Sequence, residues 1–299
     1  VSISGVSSAV IAAAARKGLL KEELIPRDSP YPVLNPDFKP KKLNPSQIEV
    51  CEKIKDLQNQ INFSAILLQG VTGSGKTEVY LEAVANALRK GEQVLVLLPE
   101  IALTSEFFNR VKNRFGENPA EWHSGVTLAE RRRVWKMVAS GGAKLVIGAR
   151  SALFLPFMNL GLVIVDEEHD HSYKQEDGVI YNARDMAVLR ASIEMSTVIL
   201  ASATPSLESW VNAKNGKYNH VQIHERYGEA TLPNLSAIDL RKENLKSDEW
   251  ISNRLEKSIT ECLKNRQQTL LFLNRRGYSP TTVCRACGNQ ISCDQCDAR

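Results

Sequence analysis

Residues 66 to 77 read Ile66-Leu67-Leu68-Gln69-Gly70-Val71-Thr72-Gly73-Ser74-Gly75-Lys76-Thr77: an apolar run, a glycine-rich turn, and the start of a helix-forming stretch. Gly70, Gly75, Lys76 and Thr77 satisfy the pattern G-x-x-x-x-G-K-[ST], and Gly73 adds a further glycine. Glycines let backbone N–H groups turn inward around phosphate oxygens without a Cβ clash. The helix that follows aims its positive end at the same oxygens. Gly70, Val71, Thr72, Gly73, Ser74, Gly75, Lys76 and Thr77 are therefore the candidate nucleotide-binding residues. Lys76 is expected on the β and γ phosphates and Thr77 on Mg²⁺, which makes ATP and Mg²⁺ the expected cofactors.

The loop needs a strand before it and a helix after it, and this requirement sets the fold. Residues 65–69 read as a buried strand and 77–90 as a helix. Further apolar runs at 93–98, 144–147, 162–165 and 198–200 read as strands, and 46–59, 104–115 and 129–139 as helices. Strands alternating with helices imply an α/β fold with a parallel sheet covered on both faces. A helix over 250–265 and a strand over 269–273 follow. Residues 1–25 read as one amphipathic helix, capped by Ser7 or Ser8 and ended by Gly18. Pro26, Pro30, Pro32, Pro36, Pro40 and Pro45 then mark a linker or extended strap.

The second chemical motif is Leu162-Val163-Ile164-Val165-Asp166-Glu167-Glu168-His169, an apolar strand ending in acids. A second strand that delivers carboxylates beside a phosphate loop is what a phosphate-bound metal requires. Asp166 is expected to hold Mg²⁺ and Glu167 to orient or deprotonate the attacking water. With Lys76 they form the expected catalytic set. Glu168 and His169 are read as linking the nucleotide site to a moving partner.

The bulk properties set looser bounds. The 299 residues allow about two domains. A net charge of +4 is compatible with a polyanionic partner and does not by itself indicate one. No run of 18 apolar residues marks a membrane span. The six cysteines show no disulfide framework, so a reducing cytoplasm is expected. Cys51 and Cys262 stand alone and read as small buried hydrophobes. Cys284, Cys287, Cys293 and Cys296 form two C-x-x-C pairs, each suited to Zn²⁺. Arg131-Arg132-Arg133 reads as a solvated helix face. The chain starts on Val1 and stops just after the cysteines, so it is expected to be a piece of a longer protein.

Asp166-Glu167-Glu168-His169 resembles the DExH box of superfamily 2 helicases. Ser202-Ala203-Thr204, after the strand at 198–200, is similar to that superfamily's SAT motif. The resemblance gives His169, Ser202 and Thr204 a part in coupling hydrolysis to movement, and makes Gln47 an adenine-reading residue. Pro99-Glu100-Ile101-Ala102-Leu103-Thr104, Gly148-Ala149-Arg150-Ser151-Ala152-Leu153-Phe154, His169-Asp170-His171-Ser172-Tyr173-Lys174-Gln175 and Tyr181-Asn182-Ala183-Arg184-Asp185 narrow it to the bacterial replication-restart helicases. That family implies a RecA-like lobe and 3′-to-5′ DNA unwinding at stalled forks. It also implies single-stranded and forked DNA, primosome proteins and single-strand-binding proteins as partners, and a monomer in the bacterial cytoplasm. Its DNA-sensing loop corresponds to 173–185, which makes Arg150, Tyr173, Lys174, Tyr181 and Arg184 the candidate DNA contacts.

On this resemblance, 1–25 are the end of a winged-helix-like DNA-binding domain and 26–43 a proline-rich linker. Residues 44–230 are helicase lobe 1, 231–283 the start of lobe 2, and 284–299 part of a zinc-binding insertion. The family binds two zinc ions through eight cysteines. Four are present here, so the ions are expected to be incompletely ligated and the segment disordered or weakly metallated. Two other readings fit the same motifs: a double-strand translocase of superfamily 2, and a loader or scaffold that uses ATP as a switch.

The resemblance places the arginines that complete the ATP site in the rest of lobe 2, and such an arginine contributes several orders of magnitude in rate. The 299-residue chain alone is expected to bind nucleotide weakly and to hydrolyse it poorly. Phosphate release at an ordinary helicase rate by this chain would contradict that expectation.

Overall fold

A computed structural model describes residues 6–20, 30–60, 62–224, 234–240 and 251–272, and the backbone pairs 282–283 and 290–291. Two compact units divide the chain, Val1–Thr231 and Leu232–Arg299.

In the first unit the elements run α1 (Ser8–Arg16), α2 (Pro45–Gln58), β1 (Ser64–Gly70), α3 (Lys76–Arg89), β2 (Gln93–Leu97), α4 (Ser105–Phe115), β3 (Ala120–Trp122), α5 (Leu128–Ala139), β4 (Leu145–Gly148) and β5 (Leu160–Asp166). The hairpin strands β6 (Lys174–Gln175) and β7 (Tyr181–Asn182) follow, then α6 (Ala183–Ile193), β8 (Thr197–Ser202), α7 (Leu207–Lys214) and β9 (Asn219–Ile223). Seven strands form one sheet in the order β3-β4-β2-β5-β8-β1-β9, with every ladder parallel. This is the parallel α/β arrangement that the alternating pattern predicts, and the RecA-like lobe that the resemblance implies.

Both sheet faces are covered, because alternate strand residues point to opposite sides. Ile66, Leu68, Val94, Val96, Ile164 and Ile199 pack under α2, α3 and α4. Leu67, Leu95, Val163, Val165, Val198 and Leu200 pack under α5 and α6. Local chemistry ends the helices where the sequence signals it. Asn44 and Gln47 form a reciprocal capping box on α2 with Pro45 in its first turn. Thr104 caps α4, and Gly116 follows it at φ +87°.

The proline-rich stretch is a strap over its described part, 30–43. Asn35 N donates to Phe115 O at 2.9 Å, and Arg114 Nη1 to Pro36 O at 2.7 Å. Leu34 enters the core. At its start, the Arg133 guanidinium lies 4.3 Å from the Tyr31 ring centroid, and the Tyr31 hydroxyl donates to Glu130. Two members of the arginine triplet are thereby structural, since Arg131 also donates to His123 O at 2.9 Å. Extended backbone imposed by proline leaves carbonyls without local partners, and arginines from α4 and α5 supply them.

Two expected elements differ. The helix predicted over 1–25 is only Ser8–Arg16 within the described residues, because Gly18 turns the chain at φ +72°. In the second unit, α8 (Asn253–Lys264) is capped by Ser252, matching the helix predicted there. The strand predicted over 269–273 is absent from its described part: 269–272 pair with no strand among the described residues, and Leu270 and Phe272 stand exposed. An apolar run makes a strand only where a neighbour supplies ladder hydrogen bonds.

Gln93 shows how the chain entering β2 is held. Fully buried, it donates from Nε2 to Val138 O (3.0 Å) and Ala143 O (2.9 Å), and its Oε1 accepts from Met158 N (2.8 Å) and Asn159 N (2.9 Å). Gln93→Leu would strand three of these backbone groups, Ala143 O, Met158 N and Asn159 N, while Val138 O keeps Gly141 N at 3.1 Å. It is expected to cost about 3–5 kcal/mol, read from the urea midpoint; a loss under about 1 kcal/mol would mean those groups find other partners.

Candidate active site

The parallel register lines the chemical motifs up along one edge of the sheet. Gln69 stands opposite Ser202, and Ala201 opposite Asp166. The glycine loop therefore leaves β1 beside the Ser202-Ala203-Thr204 turn of β8, with the acidic turn of β5 next in the row. This is where open parallel sheets place their ligands.

In the loop, Gly75 has φ +84° and a Cβ there would lie 2.3 Å from Gln47 Nε2; a Cβ on Gly70 would lie 2.5 Å from Ser74 Oγ. A side chain at Gly75 would strain the backbone and displace the Gln47 amide, and one at Gly70 would displace the Ser74 hydroxyl. Ser74 Oγ is buried and has no hydrogen-bond partner among the described residues. Lys76 is 8 % exposed, and its Nζ donates to Gly70 O at 3.0 Å. Gln47 is also buried: Oε1 accepts from Asn44 N (2.9 Å) and Nε2 donates to Ser74 O (2.8 Å). One donor and one lone pair of its amide stay unassigned, which is what a nucleobase edge would use. Around these residues lies a pocket of about 360 Å³, lined also by Lys41, Lys42, Thr72, Thr77, Arg110, Asp166 and Glu167. Its size suits a small molecule.

The Asp166 carboxylate is held on both oxygens. Tyr80 donates to Oδ2 at 2.8 Å and Glu167 N to Oδ1 at 3.0 Å. Burial pushes its pKa up, and the Tyr80 hydrogen bond counters this. Burial, and next the Asp166 charge, keep the Tyr80 phenol well above its ordinary range, so it stays a donor. Glu167 sits at φ +46°, in the left-handed region unusual for a non-glycine residue. His169 Nδ1 lies 2.8 Å from Ser202 Oγ and 3.6 Å from Glu167 Oε2. Ser202 Oγ also accepts from Thr204 N at 3.0 Å. The expected coupling residues are thus in direct contact.

A DEAD/DEAH box helicase family model matches residues 44–212, more than half of the chain. The chain belongs to the DEAD/DEAH box helicase family. It is 50% identical over 232 residues to the Replication restart protein PriA of Rickettsia felis, covering 78% of this chain and 36% of that protein. It is 40% identical over 294 residues to PriA of Bacillus subtilis (strain 168), covering 97% of this chain and 36% of that protein. The chain therefore spans about a third of these relatives' length. Among solved structures, the DUF1998 helicase MrfA shares the fold at a TM-score of 0.50, with 18% identity over 91% of this chain and 39% of that one.

Within this helicase lobe the candidate DNA contacts separate. Tyr173 is 1 % exposed, and its hydroxyl faces Leu97 O (3.0 Å) and Asp166 O (2.6 Å). It does not present a ring for stacking, because the segment after Asp166 folds back over the sheet core. Arg184 is 6 % exposed and bonds to Ser206 Oγ (2.7 Å), Asp185 (2.7 Å) and Glu168 (3.4 Å), so it is not placed to meet phosphates. Tyr181 is partly exposed against the Phe154 ring at 5.3 Å. Lys174 is exposed beside Glu176 at 2.8 Å. Arg150 donates to Ser172 O (3.3 Å) and Lys174 O (2.8 Å).

Glu168 corrects another expectation. It is buried and accepts from Ser206 N (2.7 Å), Ser206 Oγ (2.9 Å) and Ser209 Oγ (2.9 Å), besides Arg184. Such a carboxylate faces its own lobe, since an incoming partner would find its lone pairs occupied. Sequence reasoning also missed Tyr80, although its position four residues after Lys76 puts both on one helix face. Cys284, Cys287, Cys293 and Cys296 lie outside the described residues, among which no cluster of three or more metal-ligating side chains occurs.

Gly75→Ala is expected to weaken binding of a fluorescent ADP analogue by at least about tenfold, or 1.4 kcal/mol. Its new methyl would collide with Gln47 as well as strain the backbone. Unchanged affinity would show that the Gln47 contact is not needed to hold the loop.

Proposed function

We propose that this chain is the ATP-binding lobe, with the start of the second lobe, of a 3′-to-5′ DNA helicase that acts in replication restart and primosome assembly at stalled forks. The observation that carries the reading is the 40–50% identity to PriA (primosomal protein N′) across the segment that holds the aligned phosphate loop, acidic turn and SAT turn. Single-stranded and forked DNA, primosome proteins and single-strand-binding proteins are the proposed partners. A monomer in the bacterial cytoplasm is the proposed setting. No helix among the described residues is long and apolar enough to cross a membrane.

The residues present fit a magnesium nucleotide. A Cβ at Gly70 or Gly75 would crowd Ser74 or Gln47, Ser74 Oγ has no hydrogen-bond partner among the described residues, and Thr77 and Asp166 line the same pocket. Mg²⁺-ATP would supply the phosphoryl group and neutralise charge developing on it. Lys76 and the loop amides would hold the phosphates, with Thr77 and Asp166 the metal. Glu167 would take a proton from the attacking water or orient it. His169 and Ser202 would pass the state of the site to the DNA-bearing partner lobe. Hydrolysis and strand movement would be linked by closure and parting of two lobes. Zn²⁺, two ions in the whole protein, would be bound by Cys284, Cys287, Cys293 and Cys296 together with cysteines beyond this chain.

ATP hydrolysis by the full-length protein, with and without forked DNA and beside Lys76→Ala, tests the proposal. Strong stimulation by DNA that the variant abolishes is expected, together with strand displacement. Active hydrolysis without strand displacement would favour an ATP-switched loader or scaffold.

A further inference from the structure

We infer that Tyr173 and Arg184 are positioning residues that hold Glu167 in its hydrolytic orientation, gripping the chain on either side of it. The inference rests on the proposed work of Glu167 on the attacking water.

Glu167 has φ +46°. A non-glycine residue keeps such a conformation only where its surroundings over-determine it. Those surroundings are visible on both flanks. On the N-terminal side, the Asp166 carbonyl lies 2.6 Å from the Tyr173 hydroxyl, whose single proton sits between that oxygen and Leu97 O at 3.0 Å. On the C-terminal side, Glu168 is locked by both its ends. Its N–H donates to Ala201 O at 3.1 Å, and its buried carboxylate takes Arg184, Ser206 and Ser209. The residue between two anchored neighbours has little freedom to turn its peptide planes.

The two anchors are also the two ends of one hairpin. Tyr173 precedes β6 and Arg184 follows β7; the strands pair antiparallel, Lys174 with Asn182 and Gln175 with Tyr181. Arg150 steadies the entry by donating to the carbonyls on both sides of Tyr173, Ser172 O and Lys174 O. The hairpin thus straddles Glu167, and a displacement of it must act on both flanking residues. Burial of Tyr173 and Arg184, at 1 % and 6 % exposure, separates them from the hairpin's exposed tip at Val179 and Ile180.

The test uses the full-length protein with Tyr173→Phe, which removes one hydroxyl and keeps the ring, and Arg184→Met. Hydrolysis is measured at saturating single-stranded DNA, with KM for ATP and Kd for the DNA measured separately. Each variant is expected to lower kcat by about tenfold to a hundredfold, as misplacement of a reacting group does. KM and Kd should change less than about threefold, and neither variant should lower the residual rate further in a Glu167→Gln background. Arg184→Met leaves the Glu168 charge unpaired and can unfold the lobe; pairing it with Glu168→Gln removes that charge, and the same loss of kcat is expected. A raised Kd with kcat intact would make these residues DNA contacts and overturn the inference, as would full-sized losses on top of Glu167→Gln. A wild-type protein that does not hydrolyse ATP would overturn the functional reading itself; an active wild type with unaffected variants would overturn this inference alone.

Discussion

The parallel pairing of β1, β8 and β5 is the constraint from which the site follows. Neighbouring strands lie about 4.8 Å apart, so the register that sets Gln69 opposite Ser202 and Ala201 opposite Asp166 puts three turns within reach of one ligand. A slip of one residue would turn every side chain to the other face. The two apolar faces resist that slip, because Ile66 and Leu68 belong to one core while Leu67 belongs to the other. Packing on the two sides of the sheet is thereby converted into the spacing between a phosphate cradle and a pair of acids.

That spacing carries an electrostatic consequence. Carboxylates beside phosphates repel unless a cation lies between them, and the repulsion strengthens as water is excluded. Asp166 already registers its surroundings: burial pushes its pKa up, while the Tyr80 hydroxyl, the Glu167 amide and Lys76 favour the charged form. The next acid but one in the chain faces inward. Glu168 is fully enclosed and supplied with donors from α6 and α7. A buried carboxylate persists only when its lone pairs are met, so this residue joins the acidic turn, the end of the hairpin and the helix after the SAT turn into one body. The His169–Ser202 contact joins the acidic turn to the SAT turn, with the His169 ring partly exposed.

Segments whose sequence pointed outward often turned inward. The proline-rich stretch suggested a linker or an extended strap, and Arg114 and Arg133 hold its described part against α4 and α5. Tyr173 and Arg184 are of types that commonly meet nucleic acid, but here their polar ends satisfy the main chain and a buried acid. Residue type cannot distinguish these uses, since a phenol or guanidinium donates equally well to a phosphate and to a carbonyl. Only the direction of the side chain separates them, and direction depends on long-range packing.

Sequence alone determined the alternating architecture, the phosphate loop and the acidic turn, while the SAT turn was recognised through the resemblance to a family. Each of these is a local pattern with its own chemistry: glycine's freedom, the period of two along a strand, a carboxylate at a strand end. Tyr80 was half legible, four residues from Lys76 on one helix. The strand expected near 269–272 was not, because a strand needs a neighbour and an apolar run does not name one. The partners of Glu168, Tyr173, Arg184 and Gln93 were decided only by tertiary structure. The bonds from Tyr173 to Leu97, from Gln93 to Ala143 and from Ser209 to Glu168 join residues far apart in the chain, and such pairings exist only once the sheet has brought the segments together.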